Sequence, residues 1–282
     1  MPASFLFRRL ATPLVLAVFV SVMLTPAIFA HPHSAVHPLA PSFVGPKHHY
    51  LALGDSLAYG YQPDLDFDDG YVHDFSNELR AHGVEDSANL GCPGETSVTL
   101  IKGGCPASFL RKFPYIGSQL KAALLYLALF RGNVSPVTLD IGANDVLPDI
   151  NKKTCTIDTG KFQSDLATLD SNLKETILPQ LHDALTVNGE VTGDLLLANY
   201  YDPYQNICPN TLPYVQIVNQ HLADDINGYG TIVDVFSAFG GATTPNPNIC
   251  SYSWICSIFH DIHPKEQGYS VIAQAFENTT GY

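Results

Sequence analysis

The chain has 282 residues, with 14 Lys and Arg against 27 Asp and Glu and a formal net charge of −13. That length allows a sizeable α/β core. Such an acidic surface repels phosphate backbones and anionic lipid, which argues against nucleic acid as a partner. Residues 1–30 read as a secretory signal: Arg8 and Arg9 form a basic start, 14–24 is an apolar run, and Ala27 or Ala30 offers a small residue for cleavage. Its removal takes away two Arg and no acid, so the mature charge falls to −15. The run is too short between its flanks to span a bilayer, and no later segment is long enough, so no stable membrane insertion is expected after cleavage. Residues 31–47 have four prolines and no periodicity and read as a disordered lead-in, with its histidines solvated rather than metal-binding.

A single domain is expected over 48–282, because there are no repeats and no second composition regime. Residues 50–53 are an apolar run bounded by Gly54, a short buried strand. A helix can begin on Asp55 or Ser56 as N-cap. After an acidic loop, Val72, Phe75 and Leu79 recur at helical spacing, and Gly83 ends that element. A second strand over 87–90 leads into Gly91-Cys92-Pro93-Gly94-Glu95-Thr96-Ser97, a glycine turn and a helix start. Residues 116–131 form a strongly apolar helix, better read as core than as the wall of a binding pocket. Strand three, 137–141, runs into Gly142-Ala143-Asn144-Asp145. Residues 162–185 are a long amphipathic helix with a kink at Pro179. Strand four (194–199), a helix (213–226) and strand five (231–236) follow. A long loop without pattern then precedes a final helix over 265–278. Strands alternating with helices mean βαβ units and a parallel sheet covered on both faces.

All six cysteines (Cys92, Cys105, Cys155, Cys208, Cys250 and Cys256) lie behind the presumed signal. They argue for three disulfides, and their spacing lacks the paired C-x-x-C of a zinc site. Pairing in chain order is favoured, because Cys92/Cys105 and Cys250/Cys256 each close a short loop.

Ligands of such a sheet bind outside the carboxyl ends of its strands. There stand Ser56 after strand one, Gly94 after strand two and Asn144 after strand three. Each alone has a bland reading as cap or turn; together they put a hydroxyl, a backbone amide and a carboxamide on one rim. A serine needs a base to become a nucleophile, and His263, in His260-Asp261-Ile262-His263-Pro264, comes just before the last helix on the same rim. Pro264 in the first helical turn is expected to fix its direction. His260 and His263 lack a third partner for a metal, so none is expected. Tyr59, Tyr61 and Trp254 lie near the rim as candidates to line a cleft.

Four stretches in order, Gly54-Asp55-Ser56-Leu57, Gly94-Glu95-Thr96-Ser97, Gly142-Ala143-Asn144-Asp145 and Asp261-Ile262-His263-Pro264, resemble the blocks of the SGNH hydrolases, or GDSL lipases/esterases. The six-cysteine pattern is similar to their secreted bacterial lipase branch. The resemblance implies a three-layer α/β/α, flavodoxin-like fold with a five-stranded parallel sheet. It also implies Ser56 as nucleophile, His263 as base, and an oxyanion hole from the N–H groups of Ser56 and Gly94 and Nδ2 of Asn144. One departure matters: the family's acid sits three residues before the histidine, where this chain has His260. Either Asp261 bends back to His263 Nδ1, or a backbone carbonyl orients the ring. The expected function is a secreted, cofactor-independent and monomeric esterase or lipase acting on acyl lipids or short-chain acyl esters through an acyl-enzyme. An O-acetyl carbohydrate esterase is the alternative, and a secreted binding protein without turnover stands behind it.

Overall fold

The computed structural model describes residues 42–282. The presumed signal and most of the lead-in lie outside them. Residues 42–47 carry no helix or strand, but the N–H groups of Val44 and Gly45 donate to the Asp194 carboxylate, at 2.8 and 2.9 Å. Lys47 N–H donates to the carbonyl of Ser135.

Five strands make one sheet: β1 (His49–Gly54), β2 (Asp86–Asn89), β3 (Val134–Asp140), β4 (Leu195–Ala198) and β5 (Thr231–Val233). They pair in parallel in the order β2-β1-β3-β4-β5. β3 and β4 are buried along their whole length and β1 from its second residue on, as central strands covered on both faces must be. Helices cover both sides of the sheet. Tyr71–Ala81 packs on Glu266–Thr280 through the stacked rings of Tyr71 and Phe276. Gln119–Leu129 packs on Leu178–Leu185, and Thr159–Asn172 on Leu212–Ile226.

The expected elements are present with shifted ends. β5 stops at Val233, and Asp234 caps a short helix, Val235–Ala238. The long loop after it holds two short helical segments, Pro247–Tyr252 and Trp254–Cys256. Where a kink at Pro179 is expected, the helix passes through a π-helical stretch, Leu173–Ile177, between Thr159–Asn172 and Leu178–Leu185. Proline offers no N–H to the preceding turn, and widening that turn accommodates the gap. Pro264 departs from its expected place. It precedes the N-cap Lys265 of Glu266–Thr280 and lies in an isolated antiparallel bridge with Ser253. The bridge is closed by Trp254 N–H to the His263 carbonyl and Lys265 N–H to the Tyr252 carbonyl, so it never asks Pro264 for a donor.

The cysteines pair in chain order: Cys92–Cys105, Cys155–Cys208 and Cys250–Cys256. Among the described residues no helix is long and apolar enough to cross a membrane.

Candidate active site

The strand order reverses around β1 and β3, the crevice where parallel α/β sheets bind their ligands. β1 ends on Gly54, whose φ of +145° and close approach to β3 exclude a side chain: a Cβ there would lie 2.5 Å from the carbonyl oxygen of Asp140. The chain turns at once into the short helix Ser56–Tyr59, with Asp55 as N-cap accepting from Leu57 N–H at 2.9 Å. Ser56, the first residue of that helix, is 9 % exposed.

His263 comes from the opposite end of the chain. Its Nε2 lies 2.8 Å from Ser56 Oγ, and its Nδ1 lies 2.6 Å from Asp261 Oδ1. The same Oδ1 accepts the backbone N–H of His263 at 2.9 Å. This Asx-turn folds the carboxylate back over only two residues, which is how a chain with histidine at the usual acid position still brings a carboxylate to the ring. His260 itself is exposed with φ +47°. Tyr61 packs against the imidazole at 4.6 Å between ring centres, and Tyr201 donates its hydroxyl to the Ile262 carbonyl at 2.6 Å. The Cys250–Cys256 loop carries Trp254, whose N–H holds the His263 carbonyl.

Gly94, at φ +83°, lies between the partners of the first disulfide. Among the described residues neither its N–H nor that of Ser56 donates to a protein acceptor. Asn144 Nδ2 donates to the Glu95 carbonyl at 3.0 Å and reaches Asp55 Oδ2 at 3.3 Å. Asp145 next to it accepts both the N–H and the hydroxyl of Ser97, joining the third motif to the second. Ser56, Gly94, Asn144, Asp261 and His263 all line one cavity of about 270 Å³.

Electrostatics separate the carboxylates. Burial pushes the Asp261 carboxyl up, but the hydrogen bonds and charge of His263 outweigh it and hold the group below its ordinary value. Asp140, at the end of β3, goes well above the ordinary carboxylate value through burial and the nearby Asp55 charge. It accepts the N–H groups of Asp55 and Ala58 and the hydroxyl of Tyr71, so its carboxyl ties the serine turn to the end of β3.

Of the aromatic candidates, Tyr61 alone lines the cavity. Tyr59 is buried against Phe67, and Trp254 donates to Gln62. The apolar helix Gln119–Leu129 contributes nothing to the lining, as its core reading implies. Its first residue, Gln119, does matter: the side chain bonds the N–H and carbonyl of Gly54 and reaches the buried Glu95. Sequence reasoning missed Gln119 and Asp140. It also missed Tyr200, Tyr201 and Tyr204, which follow β4 and line the cavity. The tyrosines were findable, since they stand where the strand-end rule sends ligands.

Comparison with solved structures agrees on the fold. The chain is similar to Axe2, an acetylxylan esterase from Geobacillus stearothermophilus, at 18 % identity and TM-score 0.53, covering 86 % of this chain and 97 % of that one. It is similar to the lipase Lip_vut3 from a goat rumen metagenome at 19 % identity and TM-score 0.58, covering 82 % and 96 %. The third likeness is to LAE5, an alpha/beta hydrolase enzyme from the metagenome of Lake Arreo, Spain, at 19 % identity and TM-score 0.53, covering 84 % and 96 %. Comparison with curated proteins finds no match. The model of the GDSL-like lipase/acylhydrolase family matches residues 52–271, a span that contains all four motifs. The chain therefore belongs to the GDSL-like lipase/acylhydrolase family and is a carboxylic ester hydrolase.

Proposed function

We propose that the protein is a secreted serine esterase or lipase that cleaves acyl esters through an acyl-enzyme on Ser56. The observation that carries this is the chain of short hydrogen bonds from Ser56 Oγ through His263 to Asp261. His263 Nε2 takes the hydroxyl proton as Oγ attacks the ester carbon. The oxyanion is met by the N–H groups of Ser56 and Gly94 and by Asn144 Nδ2, for whose hydrogen it competes with the longer bond to Asp55. Collapse breaks the ester bond, and the alcohol leaves with the proton from Nε2. Water, deprotonated by His263, then frees the acid and regenerates Ser56. Asp261 stabilises the imidazolium formed in each half. Three disulfides in the described chain support an oxidising destination, in keeping with the signal read at 1–30.

The cavity next to Ser56 is lined chiefly by aliphatic and tyrosine side chains, which favours an apolar acyl group over the acetyl group of a decorated carbohydrate. Axe2 is an acetylxylan esterase by its description, but a likeness of that degree carries the fold alone. A fluorophosphonate probe tests the mechanism: the wild type should be labelled at Ser56 and lose esterase activity in step, and Ser56→Ala should do neither. An unlabelled but active wild type overturns the serine mechanism. Acetylated xylan as the only substrate turned over would overturn the acyl reading and favour the carbohydrate one.

A further inference from the structure

Two lined spaces meet at one pair of rings. Phe162, from Thr159–Asn172, and Tyr214, from Leu212–Ile226, stand edge to face, with centroids 5.0 Å apart and planes at 88°. Both rings line the cavity of Ser56, together with the apolar Val146, Leu147 and Val218. They also line a second groove between the same two helices, together with Leu166, Ala167, Pro213 and Ile217 and with the polar Thr159, Gln163 and the His221–Asp170 pair. Phe162 and Tyr214 are the two side chains common to both spaces. Phe162 is buried and Tyr214 is half-buried.

We infer that the Phe162–Tyr214 pair is the end wall of the acyl pocket and sets the longest acyl chain the enzyme accepts. The inference rests on the acyl-enzyme reading of Ser56 and adds its substrate class: esters of medium-length aliphatic acids. At about 270 Å³, the cavity falls just short of the roughly 300–1,000 Å³ of pockets that hold drug-sized ligands. An acyl tail that follows the apolar lining away from Ser56 meets the two rings, and the far methylenes of a full fatty acyl chain would have to pass them. Removing either ring joins the pocket to the second groove.

The test uses p-nitrophenyl acetate, butyrate, octanoate and palmitate, with fluorophosphonate labelling of Ser56 alongside. The wild type should favour butyrate or octanoate over both acetate and palmitate in kcat/KM. Tyr214→Ala should raise the palmitate-to-octanoate ratio by at least about tenfold, since a few methylenes accommodated or refused in an apolar pocket are worth that much. Phe162→Leu, which keeps an apolar side chain in the core, should move the ratio the same way. An unchanged ratio in both variants overturns the end wall while leaving the hydrolase reading intact. So does a wild type that prefers acetate or palmitate. Absence of both labelling and ester turnover in the wild type overturns the acyl-enzyme reading and this inference together.

Discussion

Asp261 carries the sharpest single expectation. On the proposed mechanism, Asp261→Asn takes from the ring the partner that holds its tautomer and stabilises its charge, and kcat should fall by on the order of 10³–10⁴ with KM little changed. Near-normal turnover would mean that a backbone carbonyl suffices. If Asn144 donates to the oxyanion as proposed, Asn144→Ala should cost on the order of 10²–10³ in kcat; a loss confined to KM would place Asn144 in ground-state binding instead. The pH dependence of stability separates two acids. Asp261 is depressed, so its contribution is full above the unfolded carboxylate value of about 3.9 and is lost as pH falls through the folded one. Asp140 is raised, so the folded state holds a proton that the unfolded state lacks. Its contribution is full below about 3.9 and is lost as pH rises toward the folded value. Asp140→Asn should therefore flatten the decline in unfolding free energy above about pH 4, as read by urea titration; an unaltered slope would assign the proton elsewhere. Ser56, Gly94 and Asn144 were legible as candidates because each follows a strand end inside a recognisable motif, and His263 because its motif comes just before the last helix. Asp140 was not, because an acid closing a buried strand has no signal of its own until the fold shows what it faces.

Strands and helices were legible for a different reason. The runs at 50–53 and 195–198 are continuously apolar, as sheet centres must be, and the periodic residues Val72, Phe75 and Leu79 are all buried. Their ends were less so, because ends are decided by contacts. Strand three starts earlier than its apolar pattern, at Val134, because it pairs there with His49. Gly54 read as the boundary of the strand, yet it is the last residue of β1 and is pressed against β3. That closeness lets the Ser56 turn sit directly on the switch point. Gly54→Ala must move backbone rather than a side-chain tip, and should cost about 3 kcal/mol or more. Gly83→Ala is the control: its φ is +93°, but nothing lies within 4 Å of the new Cβ, so only about 1–2 kcal/mol of left-handed strain should appear. Equal losses in denaturant unfolding would contradict the steric account of Gly54.

The disulfides tie the active-site rim to the rest of the fold. Cys92–Cys105 brackets Gly94, and Pro106 beyond it packs 3.3 Å from where a Gly94 Cβ would stand. Cys250–Cys256 braces the loop that holds His263. Cys155–Cys208 has another task, which chain-order pairing could not reveal: Cys155 lies just before Thr159–Asn172 and Cys208 just before Leu212–Ile226. It therefore clamps together the starts of the two helices that carry Phe162 and Tyr214. In the chain-entropy account, the gain from a crosslink grows with the loop it closes. A separation of 53 residues corresponds to about 4 kcal/mol, and one of 6 to about 2 kcal/mol. Cys155→Ser/Cys208→Ser should thus lower the unfolding free energy by about twice as much as Cys250→Ser/Cys256→Ser. The catalytic losses should run the other way. Freeing the Cys250–Cys256 loop loosens His263 and lowers kcat for every ester, whereas freeing the two helices chiefly relaxes the discrimination between octanoate and palmitate. If the short-loop variant proves the less stable of the two, loop closure is not what these bonds contribute, and native contacts around Trp254 must supply the difference.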